Sequence, residues 1–436
     1  DVKLNAVRKT TSIALAGFMA AGVVFSPSRP AHAQSVESLQ KQLKTLQQAL
    51  DAMKSQLDKV QAEQKIQKTK LAKQGAEVAP LKKVVERLSK VSISGGATGI
   101  VQGTWGVPEK NEGGDDTFSG GSFDLVFEYE PMKDWKVVID LEGIGGNGPD
   151  NIATLHGVNG DLGTTNDTVT ILEAYLEGVL WNERLTLTAG KIDATNYIDG
   201  NAYAGDETTQ FLSGSLVNNG VLTAPDNGPG VRLGVNLITD LVYLEMVGMS
   251  QDPDGDSNTT NRTFEHVYGA LEVGITPKLL GRSGTYRFWG TFDGNGKRLR
   301  SRFGVTEDYT AMGAGLSFDQ EVADGVGLFF RLGYRDTHNT AYTTRTSWSL
   351  GTQLFVGNFI KTRPNDFIGL AYSQISPTNR DFGKNSIEEQ FVEGYYNWYF
   401  TDNFQLTGFM QYVDGRNGSK TLDDVTLFGA RVQSNF

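Results

Sequence analysis

The residues with the most chemistry to offer crowd into one stretch, Ala189 to Leu216 (AGKIDATNYIDGNAYAGDETTQFLSGSL). It carries Asp193, Asp199, Asp206 and Glu207 together with Tyr197, Tyr203 and Phe211. Adjacent Asp206 and Glu207 form a carboxylate pair, but within a run of acids such a pair reads as electrostatic lining, and no catalytic residue is expected. Arg232, Arg287, Arg331 and Arg335 recur elsewhere in segments of alternating apolar and polar residues, always on the polar side, as does Trp289. Opposed rows of carboxylates and guanidinium groups set up a transverse field that orients a polar solute. Trp289, Tyr197 and Tyr203 add ring faces on which a solute can stack. The expectation is a solute-binding constriction built from Asp193, Tyr197, Asp199, Tyr203, Asp206, Glu207, Arg232, Arg287, Trp289, Arg331 and Arg335.

Other chemistries find little support. There is no cysteine, which excludes disulfides, thiolate metal sites and cysteine nucleophiles, and four histidines leave little for an imidazole zinc site. Asp252-Pro253-Asp254-Gly255-Asp256 begins like a calcium loop, yet Thr263 stands where the bidentate Glu belongs, so a turn is expected. No metal and no cofactor is therefore expected. The basic run Lys297 to Arg302 sits in a chain of net charge −11, and contact with anionic lipid heads fits it better than nucleic acid.

The elements that must position these residues begin with residues 1–33, which resemble a secretory signal: basic Lys3, Arg8 and Lys9, the apolar run Ser12 to Phe25, and the A-x-A site Ala31-His32-Ala33. Residues 34–90 follow as a coiled-coil stalk. Val36, Leu43, Leu50 and Leu57 alternate at spacings of three and four with Leu39, Leu46, Met53 and Val60, the seam of a coiled coil. The phase runs on through Gln64, Gln67, Leu71 and Gln74 to Val78, Leu81, Val85 and Leu88, with a loosening or kink expected at Gly75 and Pro80. Residues 34–92 hold twelve Lys/Arg against six Asp/Glu, whereas 93–436 nets −20.

From Val91 the period becomes two. Sixteen alternating segments follow, joined by connections that are short at one end and long and polar at the other. Phe123, Leu125, Phe127 and Tyr129 oppose Asp124 and Glu128; Val326, Leu328, Phe330, Leu332 and Tyr334 oppose Arg331 and Arg335. In lipid no backbone group can stay unpaired, so such strands must close into a barrel, apolar side to lipid and charged side to the lumen. Trp105, Trp135, Trp181, Trp348 and Trp398 near strand ends suit interfacial girdles. The chain is expected to be an all-β transmembrane barrel of about 16 antiparallel strands over 91–436, preceded by an α-helical coiled coil, with Phe436 at the short-turn rim beside the first strand. The segment 192–228, too long for a hairpin turn and too aromatic for disorder, is expected to fold inward.

The insert Gly190–Leu212 (GKIDATNYIDGNAYAGDETTQFL) resembles the carbohydrate-selective outer-membrane porin family, the OprB-like porins, as do GPGVRLGV (Gly228–Val235), IGLAYS (Ile368–Ser373) and EGYYNWYFTDNFQL (Glu393–Leu406). The resemblance implies a sixteen-stranded barrel with an inward third outer loop, and sugar uptake; the coiled coil is similar to that of porins with periplasmic stalks, some of which pass ions or small organic solutes instead. The expected partners are small hydrophilic solutes, outer-membrane lipids and, through the coiled coil, two further copies in a homotrimer, in the bacterial outer membrane with a periplasmic stalk. A second expectation, of a different class, is a tether whose basic stalk contacts peptidoglycan while the barrel serves as anchor.

Overall fold

The computed structural model describes residues 36–109, 113–149, 151–162, 167–251, 264–299, 306–336, 343–378 and 386–436. The signal-like segment and the Asp252–Asp256 turn lie outside the described residues, as does the Arg300–Arg302 half of the basic run. The chain divides into two units near Val84.

The first unit holds all but the last turn of α1, one α-helix from Val36 to Leu88, uninterrupted at Gly75 and Pro80. Its seam residues Leu43, Leu50, Met53, Leu57 and Val60 are 51% to 65% exposed.

In the second unit the strands are β1 (Val91–Trp105), β2 (Thr117–Met132), β3 (Trp135–Asn147), β4 (Thr168–Leu180), β5 (Leu185–Ile192), β6 (Gly228–Ile238), β7 (Val242–Ser250), β8 (Val267–Ile275), β9 (Lys278–Leu279), β10 (Arg282–Leu299), β11 (Thr306–Ala323), β12 (Val326–Arg335), β13 (Thr344–Phe355), β14 (Phe367–Pro377), β15 (Glu389–Thr401), β16 (Phe404–Asp414) and β17 (Val425–Asn435). β9 is a two-residue ribbon inside a turn; the other sixteen form one closed antiparallel barrel. Closure runs through β1 and β17, paired from Gly96↔Asn435 to Trp105↔Thr426. Gly95 and Phe436 exchange two further backbone hydrogen bonds, at 3.2 and 3.0 Å, so no edge is left open.

At the short-turn rim, tight reversals put non-glycine residues into the left-handed region, among them Asp134 (φ 65°), Asn182 (φ 56°) and Asp240 (φ 59°). The expected misfit, Gly357–Asn365, belongs to this rim. A 3-10 turn at Val356–Asn358 and a bidentate Arg363–Asp366 pair (2.6 and 2.8 Å) fold the extra residues into a compact connection. On the other rim β2, β10 and β11 run several residues past their apolar alternation. Backbone pairing needs no apolar side chains, so the ladder continues through the polar stretch Lys297↔Asp308 to Leu299↔Thr306, past a bulge at Asp293/Gly296.

The alternation orients the side chains as the sequence requires. Leu328, Leu332 and Tyr334 are exposed on the outside of β12, while Phe329, Arg331 and Arg335 are buried inside. The barrel interior is not a uniformly polar wall. Among the described residues three buried apolar clusters lie within it, one built on Phe329, Tyr395, Phe409 and Ile100, a second on Val247, Met249, Tyr268 and Trp289, and a third on Phe391, Val413 and Leu427.

Candidate functional site

β5 and β6 pair up to Ile192↔Gly228, so residues 193–227 leave the wall and return to it at one point. Their route is traced by hydrogen bonds to inward-facing side chains. Asp193 caps the 3-10 turn Ala194–Asn196 by accepting from Thr195 N–H (2.7 Å), and its own N–H donates to Glu173 on β4 (2.8 Å). Asn201 donates to Ser317 Oγ (3.1 Å) and Phe318 O (3.2 Å) on β11. The Tyr203 ring lies over Gly327 of β12, where any side chain would collide with it. Asp206 closes a turn by accepting from Thr208 N–H (2.8 Å) and Oγ1 (2.7 Å). Leu212 and Ser213 donate their N–H groups to Glu393 on β15 (2.6 and 3.0 Å). The one-turn helix α2 (Gly214–Val217) follows, and Ser215 meets Ser373 of β14 at 2.7 Å.

One rule organises these contacts. Wall carboxylates accept the insert's N–H groups: Glu173, Glu272 and Glu393. Wall arginines donate to its carbonyls: Arg331 to Leu216 O (2.5 Å), Arg335 to Val221 O (3.0 Å), and Arg431 to Glu207 O and Gln210 O. Irregular backbone enclosed in a barrel must find partners for its polar groups, and charge-assisted bonds are the strong ones. Apolar packing supplies the rest. Phe211 meets Tyr395 edge-on at 4.9 Å and Phe329 at 5.8 Å, with Leu212 and Leu216 buried beside it. Each such side chain contributes roughly 1.5–3 kcal/mol on full burial.

Asp199 is the node. It is fully buried and holds φ 65°. Its carboxylate accepts from Trp289 Nε1 (2.8 Å) and Asn219 N–H (2.8 Å) and meets Arg331 Nε at 3.0 Å. Its N–H donates to Glu272 (2.7 Å) and its carbonyl accepts from Arg331 (3.1 Å).

The expected opposition of four insert acids to four barrel arginines takes a different form. Among the described residues Asp199 alone of the four acids meets one of these arginines, and the pair is sealed from the lumen. Arg331 and Arg335 are each 1% exposed because the insert's own carbonyls cover them. Trp289 is 4% exposed, its indole spent on Asp199, so its ring is not offered for stacking. Arg232 forms a two-pronged pair with Glu245 (2.6 Å on each arm) and lies 4.9 Å over the Tyr197 ring. Arg287 pairs with Asp319 and lies 3.9 Å from Glu272. Asp193, Tyr197, Tyr203, Asp206 and Glu207 stay partly open.

Two features escape a reading of the sequence. Loop residues 148–149 and 151–162 also turn inward. Leu155 N–H donates to Glu389 (2.9 Å), Val158 O accepts from Gln411 (2.7 Å), and Gly160 and Leu212 join loop to insert (2.7 Å). Ile152 and Val158 pack on inward Phe391, Val413 and Leu427. Those inward apolar positions are the signal a sequence offers for such a bed. The second feature is an acidic strip on the inner face of β2–β4. Register places Asp124 opposite Glu142 and Asp140 opposite Glu173. Lys136 bridges Glu128 (3.3 Å) and Glu177 (3.4 Å) nearer the short-turn rim. Asp161, accepting from Ser122 at 2.7 Å, extends the strip from the inner loop.

Glu207 faces this acidic region from the insert. Burial first, then Asp206, Asp161 and Asp193, push its carboxyl up to about 7. A raised carboxyl is neutral below that value and charged above it. Cation preference should therefore rise as pH increases through 7, read from the reversal potential of a salt gradient at pH 5.5 and 8.5. Glu207→Gln should reduce the step; an unchanged step assigns it wholly to other groups.

The family described as "Carbohydrate-selective porin, OprB family" matches residues 135–436. Among solved structures, the high-pH structure of Pseudomonas putida OprB superposes with a TM-score of 0.68 at 15% identity, covering 81% of this chain and 96% of that one. The low-pH structure of the same protein gives 0.52 at 14% identity, covering 81% and 95%. At these identities the likeness is one of fold. An uncharacterized protein of Aquifex aeolicus (strain VF5) is 33% identical over 182 residues, 37% of this chain and 53% of that protein, so the match spans about half the length of that relative.

Proposed function

This chain belongs to the carbohydrate-selective porin, OprB family, and from that premise we propose that its passive channel carries small hydrophilic solutes, carbohydrates foremost, through a lumen narrowed by residues 193–227 and 148–162. The observation that carries the reading is the backbone grip of Arg331, Arg335, Arg431 and Glu393 on the insert. A segment held at so many points is a fixed partition, not a mobile lid. The remaining passage runs past the acids of β2–β4 and the partly open Asp193, Tyr197, Tyr203, Asp206 and Glu207. Carboxylates accept hydrogen bonds from sugar hydroxyls and repel anions. Porin chemistry is selection by width, hydrogen bonding and charge, with no bond made or broken. The assembly in this reading is a homotrimer joined through α1, set in outer-membrane lipid with α1 on the periplasmic side.

Liposome swelling with the purified protein tests it. A neutral monosaccharide should enter several-fold faster than a monoanion of similar size. Faster entry of the anion would reverse the assignment.

A further inference from the structure

We propose that the outer wall of β7–β12 carries a binding site for an acylated lipid with an anionic, phosphate-bearing head, seated in the outer leaflet. Gly290 on β10 pairs with Ala314 on β11, and the same row continues to Leu271 on β8 and Tyr334 on β12. Two small residues thus stand between two large ones. The paired Phe292 and Met312 bound them toward the long-loop rim, and the paired Phe288 and Leu316 toward the short-turn rim. Leu271, Phe292, Met312 and Tyr334 are 46% to 63% exposed, while Ala270, Trp289, Ala311 and Arg335, on the opposite face of the same strands, are buried. The feature therefore faces away from the lumen. With Met246 and Gly269 at its β7–β8 edge it forms an open, mainly apolar concavity of about 930 Å³.

A gap between a lipid and the wall loses dispersion contacts on both sides. An acyl chain that fills the concavity is therefore held in preference to one that spans it. Charge at the rim selects the head. Between β10 and β11 the sequence Gly294–Tyr309 holds Lys297, Arg298, Arg300 and Arg302 against Glu307 and Asp308, a net +2. The other long connections of that rim are acidic or balanced in sequence: 251–266 nets −3, 336–343 nets −1 and 193–227 nets −5. The one basic connection continues the two strands at the centre of the concavity. Lys297 pairs with Asp308, four residues beyond Met312 on β11, and four residues of strand span about 13 Å. An acyl chain covers such a distance below a head at the membrane surface, where Lys and Arg attract anionic lipid heads. An uncharged amphiphile would leave the basic connection unanswered, and a soluble anion would leave the concavity unfilled.

Lipid capture by the full-length protein in detergent tests this, with lipid A and its dephosphorylated form as probes and native mass spectrometry as the readout. The parent should hold the phosphorylated form several-fold better. Gly290→Leu fills the concavity, and the wall accepts it, because a Cβ there meets only Gly313 O, at 3.8 Å. It should lower capture of both forms several-fold. Lys297→Ser, Arg298→Ser, Arg300→Ser and Arg302→Ser together should keep capture of the dephosphorylated form and abolish the preference for phosphate. Gly99→Leu, on the outer face of β1 with nothing within 4 Å of its Cβ position, should bind like the parent. Heat-modifiable migration on gels checks that each barrel is folded. Equal capture by the parent, Gly290→Leu and Gly99→Leu would overturn the site. So would a preference for phosphate that survives the loss of all four cations. A native mass lowered by Gly290→Leu with lipid capture unchanged would give the concavity to contact between copies, and would overturn it as well.

Discussion

Replacing residues 193–227 with a six-residue turn should raise single-channel conductance several-fold while the barrel stays heat-resistant. The barrel survives because the insert contributes nothing to its ladder. β5 and β6 are in register from Leu185↔Val235 to Ile192↔Gly228, a hairpin that a short turn can close. The groups uncovered, Arg331, Arg335, Arg431, Glu272 and Glu393, would meet water, which hydrates charges well in a wide lumen. The apolar bed of Phe329, Tyr395 and Phe409 loses its cover, at a cost confined to the interior. Conductance rises because the insert reaches from β4 across to β11 and β17, displacing electrolyte over much of the cross-section. Cation preference should fall at the same time, since Asp206 and Glu207 go with the insert. A shortened channel that conducts like its parent would place the limiting section elsewhere, with the 148–162 loop the next candidate.

The barrel was legible in the sequence because lipid leaves few solutions. Period-two alternation, an even strand number and connections of alternating length all follow from closing a sheet with no unpaired edge. The inward course of the insert was legible from its length and its aromatics. Its acids were harder to place. Asp193 and Asp206 act locally, capping turns two residues away, as Asp commonly does. Asp199 looks the same in sequence, yet its partners Trp289 and Arg331 lie 90 and 132 residues further on. Which acid faces the lumen and which is sealed beneath the insert depends on that long-range contact, and alternation within a strand does not report it. The 148–162 loop was missed for the same reason: its anchors Glu389 and Gln411 are 234 and 253 residues away. Arg331 and Arg335 lie beneath the insert and not on open space, because a strand pattern tells inward from outward and not what lies over the inward face.

Asp199→Ala should convert a steady channel into a flickering one. The substitution strands Arg331 without its carboxylate and removes the acceptor for Trp289 Nε1 and Asn219 N–H. Breaking one partner out of a buried pair costs about 3–5 kcal/mol, chiefly the penalty of the uncompensated charge left behind. The barrel ladder is untouched, so the cost falls on the docking of the insert. That raises the population of undocked states by roughly two to three and a half orders of magnitude, at about 1.4 kcal/mol for each factor of ten. Planar-bilayer recordings should show brief high-conductance excursions absent from the parent, with gel heat-resistance unchanged. The loss should be largely reversible by removing the other charge as well. Asp199→Ala with Arg331→Met deletes both ions, and a buried apolar replacement for a pair is often close to neutral. Arg331 also holds Leu216 O, so recovery should be partial, leaving the double variant quieter than Asp199→Ala alone. If the two substitutions simply add, the charges do not act as a pair and Asp199 is one hydrogen-bond acceptor among several; if Asp199→Ala records as quietly as the parent, the insert is held by the wall arginines and Glu393 without it.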